Sequence, residues 1–207
     1  MASFPDKPYS TAGGYLTGYR EAMAAAWASI DPAAFDRAAA MLAAAIRGKR
    51  LIYACGNGGS AATSGHLLCD FLKGIQTDTA LRPRVVSLAS HLELITAIAN
   101  DISYDEIFAY QLKTMAAPGD VLITISASGN SENIVRALDW ARQNGVGTIA
   151  MTGFAGGRSA KLADINLHVA AENYGIVEDI HQSMMHAFAQ YLRQNAMAPG
   201  AHLSHRF

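Results

Sequence analysis

The chain has 207 residues, 51% of them hydrophobic, with 16 Lys and Arg against 17 Asp and Glu. That length supports one domain, or one domain with a helical extension, and the balanced charge without a basic run argues against nucleic-acid binding through a charged patch. No apolar run reaches membrane-spanning length and no basic-then-apolar start is present, so the expected setting is soluble and cytoplasmic, with Cys55 and Cys69 as small buried hydrophobes in a reducing compartment.

Residues 1–8 are polar and proline-broken, a loose lead-in. From Tyr9 to Ser29 the chain is alanine-rich, with Tyr15, Tyr19, Met23 and Trp27 at four-residue spacings along one helix face. Asp31-Pro32 reads as the N-cap and first residue of a second helix, running through Phe35, Ala38, Met41, Leu42 and Ala45 to Gly48. Two amphipathic helices ahead of the first strand must pack on the domain or on a neighbouring subunit, and an Ala/Met/aromatic face favours an oligomer. The apolar run Leu51–Cys55 predicts a buried strand, turning through Gly56–Ser60 into a helix that carries His66 and Asp70. An apolar run follows at Val85–Ala89, then a helix over His91–Ala99 broken by Asn100-Asp101, and a further helix over Tyr104–Met115 ended by Pro118-Gly119. Val121–Ser126 predicts a strand, Ser131–Gln143 a helix, Thr148–Thr152 a strand and Gly153–Gly157 a glycine-rich loop. The last strand falls at Ile165–Val169 and a long helix at Val177–Asn195. Continuous apolar strands alternating with helices predict an α/β fold, a doubly wound five-stranded parallel sheet covered on both faces. The expected division is a helical extension over 1–48, the sheet domain over 49–195 and a flexible tail over 196–207, with His202 and His205 exposed to solvent.

Two turns sit where ligands bind in open parallel sheets, beyond the C-terminal ends of strands. Gly56-Asn57-Gly58-Gly59-Ser60 leads from a strand into a helix N-terminus, where unpaired N–H groups and the helix dipole favour an anion. Ser126-Ala127-Ser128-Gly129-Asn130-Ser131 repeats that arrangement with three hydroxyls, although Ser131 by itself also reads as an N-cap. Gly56-x-Gly58-x-x-Ala61 satisfies a loose dinucleotide fingerprint, but the second strand closes in Ser87-Leu88-Ala89-Ser90 with no carboxylate for a ribose. Neither turn carries the Gly-Lys-Ser/Thr ending of a P-loop. His66 and Asp70, four residues apart, share a helix face and can share a metal or a proton.

The pairing of Gly-Asn-Gly-Gly-Ser with Ser-Ala-Ser-Gly-Asn-Ser resembles the sugar isomerase (SIS) domain family, and more closely the phosphoheptose isomerases. Ala99-Asn100-Asp101 and Met151–Gly157 match further family stretches. The resemblance implies a single SIS domain that converts sedoheptulose 7-phosphate to D-glycero-D-manno-heptose 7-phosphate in a homotetramer with shared active sites. It implies substrate contacts from Asn57, Gly58, Ser60, Asn100, Asp101, Ser126, Ser128, Asn130 and Ser131. It also implies a zinc ion held at His66, Asp70, Glu178 and His186, with Asp70 or Glu178 as base and His186 as its acid/base partner. Asp70 stands where the family has glutamate, and Glu178 where it has glutamine. Ala127 replaces a frequent threonine. Glu178, Gln182 and His186 fall at four-residue steps on one face of the last helix, which leaves Glu178 and His186 eight residues apart, about 12 Å along a straight helix. These departures leave open an isomerase of another phosphosugar, and a non-catalytic SIS adaptor or sugar-phosphate sensor.

Overall fold

A computed structural model describes residues 3–204, and the exposure expected of His202 and His205 lies outside what it describes. Among these residues the helices are α1 (Ala12–Trp27), α2 (Pro32–Arg47), α3 (Gly59–Cys69), α4 (Leu92–Asp101), α5 (Ala109–Met115), α6 (Glu132–Gln143), α7 (Ser159–Leu162) and α8 (Tyr174–Ala196). The Thr11 hydroxyl opens α1 by accepting from the Gly14 N–H at 3.1 Å, and the Asp31 carboxylate opens α2 by accepting from Ala33 at 2.9 Å. Pro32 follows at the first helical position, where its missing N–H costs no hydrogen bond. Strands β1 (Leu51–Gly56), β2 (Arg84–Ser87), β3 (Val121–Ser126), β4 (Gly147–Thr152) and β5 (Ile165–His168) are all parallel, in the order β2-β1-β3-β4-β5.

The strands are buried on both faces, which is why they read as continuous apolar runs. Ile52, Ala54, Ile123, Ile125, Ile149 and Met151 face one core with α2, Leu67 of α3 and the buried stripe of α8. Tyr53, Cys55 and Leu122 face the other, with Leu112 of α5 and Ile134, Ala137, Leu138 and Ala141 of α6. The N-terminal helices lie on the first face. Phe35 of α2 stacks on Phe188 of α8 at 3.9 Å and 3°, and the Tyr19 hydroxyl of α1 donates to Asp179 at 2.5 Å.

Several boundaries differ from the expected ones. Asn100 and Asp101 do not break a helix but form the last turn of α4, which ends at Ile102 where the backbone leaves helical geometry (φ −124°, ψ −77°). The expected helix over Tyr104–Met115 divides into a 3₁₀ turn at Tyr104–Glu106, capped by Ser103, and α5. α7 was not expected, and the segment assigned to a flexible tail carries a 3₁₀ turn at Ala201–Leu203. Cys55 is buried as expected, but Cys69, at the end of α3, is exposed. Among the described residues no helix is long and apolar enough to cross a membrane.

His181 of α8 is fully buried, and neither ring nitrogen completes a hydrogen bond with a described residue, the Thr152 main chain approaching without closing one. Burial disfavours the imidazolium and lowers its pKa from 6.5 to about 4. The unfolded chain therefore binds this proton first, so the stability is intact above pH 6.5 and is lost as pH falls toward 4. The full loss is about 3 kcal/mol for one such group. Urea unfolding at pH 7.5 and pH 5 should show the midpoint falling on acidification, and His181→Met should flatten that slope; an equal slope in both proteins would assign it to other groups.

Candidate active site

The order of the sheet reverses between β1 and β3, and both glycine- and serine-bearing turns leave from there. Register sets Gly56 opposite Ile125, so Gly56–Ser60 and Ser126–Ser131 start side by side, about 5 Å apart. α3 then passes to one face and α6 to the other, which opens a crevice between two helix N-termini. A reciprocal amide pair ties its walls together: Asn57 Nδ2 donates to Asn133 Oδ1 at 3.0 Å, and Asn133 Nδ2 to Asn57 Oδ1 at 2.9 Å. The Tyr104 hydroxyl also donates to Asn57 Oδ1 at 3.0 Å.

The serine turn is held from outside by the loop after β4. At Gly129, in the left-handed region (φ 64°), a Cβ would overlap the Gly156 carbonyl oxygen, so the two loops meet backbone to backbone. The Gly129 carbonyl accepts from Ser159 N at 2.9 Å. Asn130 Oδ1 accepts from Arg158 N, and Arg158 Nη2 donates to the Asn130 carbonyl and to Glu132. Within the turn Ser126 Oγ accepts from Gly129 N and Ser128 Oγ from Asn130 N, while the Ser131 side chain makes no capping bond to α6. The hydroxyl protons of these serines are thus not consumed by capping, which suits donation to an anion.

Further along α3, Asp70 lies between two histidines. His186 Nδ1 is 2.7 Å from Asp70 Oδ2, and His66 Nε2 is 3.3 Å from Asp70 Oδ1. Asp70 also begins a wide turn over Asp70–Gly74 in which the Ile75 N–H reaches back to its carbonyl, an i to i+5 bond of the kind that often marks functional sites. On the opposite side of the rings Gln182 Nε2 lies 2.9 Å from His66 Nδ1 and 3.1 Å from His186 Nε2. A cleft of about 680 Å³, lined by Asp70, Lys73, Gly74, Thr77 and His186 among others, opens alongside. Donor atoms of His66, Asp70 and His186 all fall within 4.8 Å of one another. Two imidazoles and one carboxylate so close fit a zinc-type cation with a position left for substrate.

Of the four residues expected to hold zinc, three are brought together and Glu178 is not among them. Its carboxylate lies against Gly59 in the first turn of α3, where a Cβ would overlap it. The physical reason is helix rise: Glu178 is eight residues before His186, and α8 is one continuous helix across both. Asn100 and Asp101 are exposed at the end of α4, where Asn100 Nδ2 donates to Asp101 Oδ1 at 2.8 Å. Gly58 is the exposed N-cap of α3 and Ser60 is buried beneath it. Asn133 was not anticipated, and Gln182 was expected on the face shared by Glu178 and His186 but not in the cluster. Asn133 follows the serine turn by two residues, a spacing that could have flagged it, and Gln182 lies one turn before His186.

This arrangement marks the class of parallel α/β domains that seat a small anionic ligand at the switch point of the sheet. Residues 18–153 match the SIS domain family. A phosphoheptose isomerase from Nitratidesulfovibrio vulgaris is 38% identical over 156 residues, 73% of this chain and 74% of its own. The solved phosphoheptose isomerase of Neisseria gonorrhoeae superposes with a TM-score of 0.81 at 28% identity, covering 89% of this chain and 100% of that one. The Francisella tularensis phosphoheptose isomerase gives 0.82 at 27%, covering 89% and 99%. The chain belongs to the SIS domain family and, within it, to the phosphoheptose isomerases.

Gly129→Ala should cost about 2 kcal/mol or more, because a side chain there meets both an unfavourable φ and a main-chain carbonyl. Urea unfolding followed by circular dichroism measures the loss; an unshifted midpoint would show that the two loops are not locked together.

Proposed function

We propose that the protein isomerises a phosphorylated ketose to its aldose, with sedoheptulose 7-phosphate and D-glycero-D-manno-heptose 7-phosphate as the pair. The observation that carries this reading is an Asp70 carboxylate between His66 and His186 on the same helix that begins at the anion turn. His66 is seven residues from Gly59, about 10 Å along the axis. A C1-to-phosphorus chain of eight bonds spans about 10 Å at the roughly 1.2 Å per bond of an extended chain. Phosphate at the hydroxyl-lined crevice then puts the carbonyl end of a seven-carbon sugar level with His66, whose Nε2 is 3.3 Å from Asp70 Oδ1.

Ser60, Ser126, Ser128 and Ser131, with the α3 and α6 N-termini, bind the phosphate through neutral donors and so fix the reacting carbons at the other end. Asn57 keeps the two walls in register through Asn133. Glu178, beside Gly59, accepts from a sugar hydroxyl at the crevice end. Asp70 removes the proton from one of C1 and C2 and returns it to the other. The hydroxyl proton on O1 passes to O2 with His186 as the acid/base partner, its Nδ1 lying 2.7 Å from Asp70 Oδ2. His66, Asp70 and His186 would hold a zinc-type cation, which when bound polarises the O1 and O2 oxygens and lowers the cost of the enediolate charge. The exposed Tyr15, Leu16 and Trp27 of α1 fit a homotetramer with shared sites, in a reducing cytoplasm where Cys55 and Cys69 stay unpaired.

In D2O, NMR should show exchange at C1/C2 of sedoheptulose 7-phosphate and little for shorter phosphoketoses or the unphosphorylated heptulose. Asp70→Asn and His186→Ala should each lower kcat by about 10²–10⁴-fold. Metal analysis should find one zinc-type ion per chain. Undiminished turnover by His186→Ala together with no bound metal would defeat the enzymatic reading in favour of a sugar-phosphate sensor. Light scattering should give four chains per particle; a monomer would remove the shared-site arrangement.

A further inference from the structure

We infer that Gln182 is a positioning residue for the proposed metal centre, its one carboxamide setting the tautomers of both His66 and His186. The inference rests on the metal reading above. Each imidazole has one nitrogen on Asp70 and the other on Gln182. For His66 these are Nε2 at 3.3 Å from Asp70 and Nδ1 at 2.9 Å from Gln182, and for His186 they are Nδ1 at 2.7 Å and Nε2 at 3.1 Å. The rings meet edge to face, 4.9 Å between centroids and 84° between planes, so a single group can reach the far nitrogen of each.

A neutral imidazole offers one N–H and one lone pair. With no cation, the N–H of each ring belongs on the Asp70 side, because two lone pairs facing carboxylate oxygens repel. Both lone pairs then face Gln182, whose NH₂ has two hydrogens, one for each ring. With a cation beside Asp70 the pattern reverses. The near nitrogens, His66 Nε2 and His186 Nδ1, must be bare to ligate, so the far nitrogens carry the protons and both need an acceptor. A half-turn of the carboxamide about its last bond brings Oε1, with two lone pairs, to the same place. A glutamate there would serve only the cation-bound state, and an apolar side chain would serve neither. Gln182 sits one turn after Glu178 and one turn before His186, at the level of the cluster that Glu178 does not reach.

The test is zinc affinity, measured by competition with a chromophoric chelator, for the full-length protein, Gln182→Met and Gln182→Glu, each checked for folding by circular dichroism. Gln182→Met should bind zinc about 10–100-fold more weakly, and Gln182→Glu should stay within a few-fold of the parent or bind more tightly. Long-range ¹H–¹⁵N spectra of the zinc-loaded parent should place the imidazole protons on His66 Nδ1 and His186 Nε2. Parent-like zinc affinity in Gln182→Met, or zinc on those far nitrogens, would overturn the role given to Gln182 while leaving the metal reading intact. A parent protein that binds no zinc would overturn both.

Discussion

Because β1 and β3 run parallel with Gly56 opposite Ile125, the chain leaves the sheet twice at neighbouring points and turns to opposite faces. Everything that can bind a ligand follows from that one pairing. It places two helix N-termini on one crevice, and it brings Asn57 within reach of Asn133. It also aims α3 so that its far end meets α8, which crosses the same face of the sheet. A different strand order would separate the hydroxyl-lined turns, and no choice of side chains would restore a common anion site.

The two ends of the site solve different electrostatic problems. At the crevice, neutral donors and helix dipoles can receive a dianion without a lysine or arginine in the turns themselves. The basic residue nearby, Arg158, is already committed to Glu132 and to the Asn130 carbonyl, so it stiffens the serine turn instead of adding free charge. At the other end, a carboxylate between two imidazoles concentrates ligand atoms and proton carriers in one place. Glu178 belongs to the crevice end, its carboxylate against Gly59 in the first turn of α3, where the dipole favours negative charge.

What could be read from the sequence is local chemistry. The turns at 56–60 and 126–131 were legible because each is a few consecutive residues at a strand-to-helix junction. The sheet was legible because strands buried on both faces read as unbroken apolar runs. Along the C-terminal helix, the shared face of Glu178, Gln182 and His186 was legible as periodicity, but which of them reaches His66 was not. That depends on where α3 crosses α8, and the crossing brings Gln182 and His186 to His66 while leaving Glu178 at Gly59. The Gly153–Gly157 loop was visible as glycine-rich, yet its part in bracketing the serine turn appears only once Gly156 lies against Gly129. The wide turn beginning at Asp70 left no mark, since nothing in DFLKG departs from an ordinary helical stretch. The break after Tyr104–Glu106 was equally silent, because its cause is the packing of Ile107 and Phe108 into the core.

The short carboxylate at position 70 acquires meaning from these contacts. A carboxylate on a shorter stem has less freedom to adjust, so the rings must come to it. His66 is set by its place on the same helix, four residues back, and His186 by the packing of α8 on α3. What remains adjustable is the rotation and protonation of the two rings, and both are in contact with one neutral amide. A carboxylate at 182 would add a third negative charge to a neighbourhood already holding Asp70 and Glu178, which repel it when no cation is present. An ammonium group would donate to the rings but could never accept from them. A carboxamide is uncharged and can do either, which is what the proposed metal centre would require of this position.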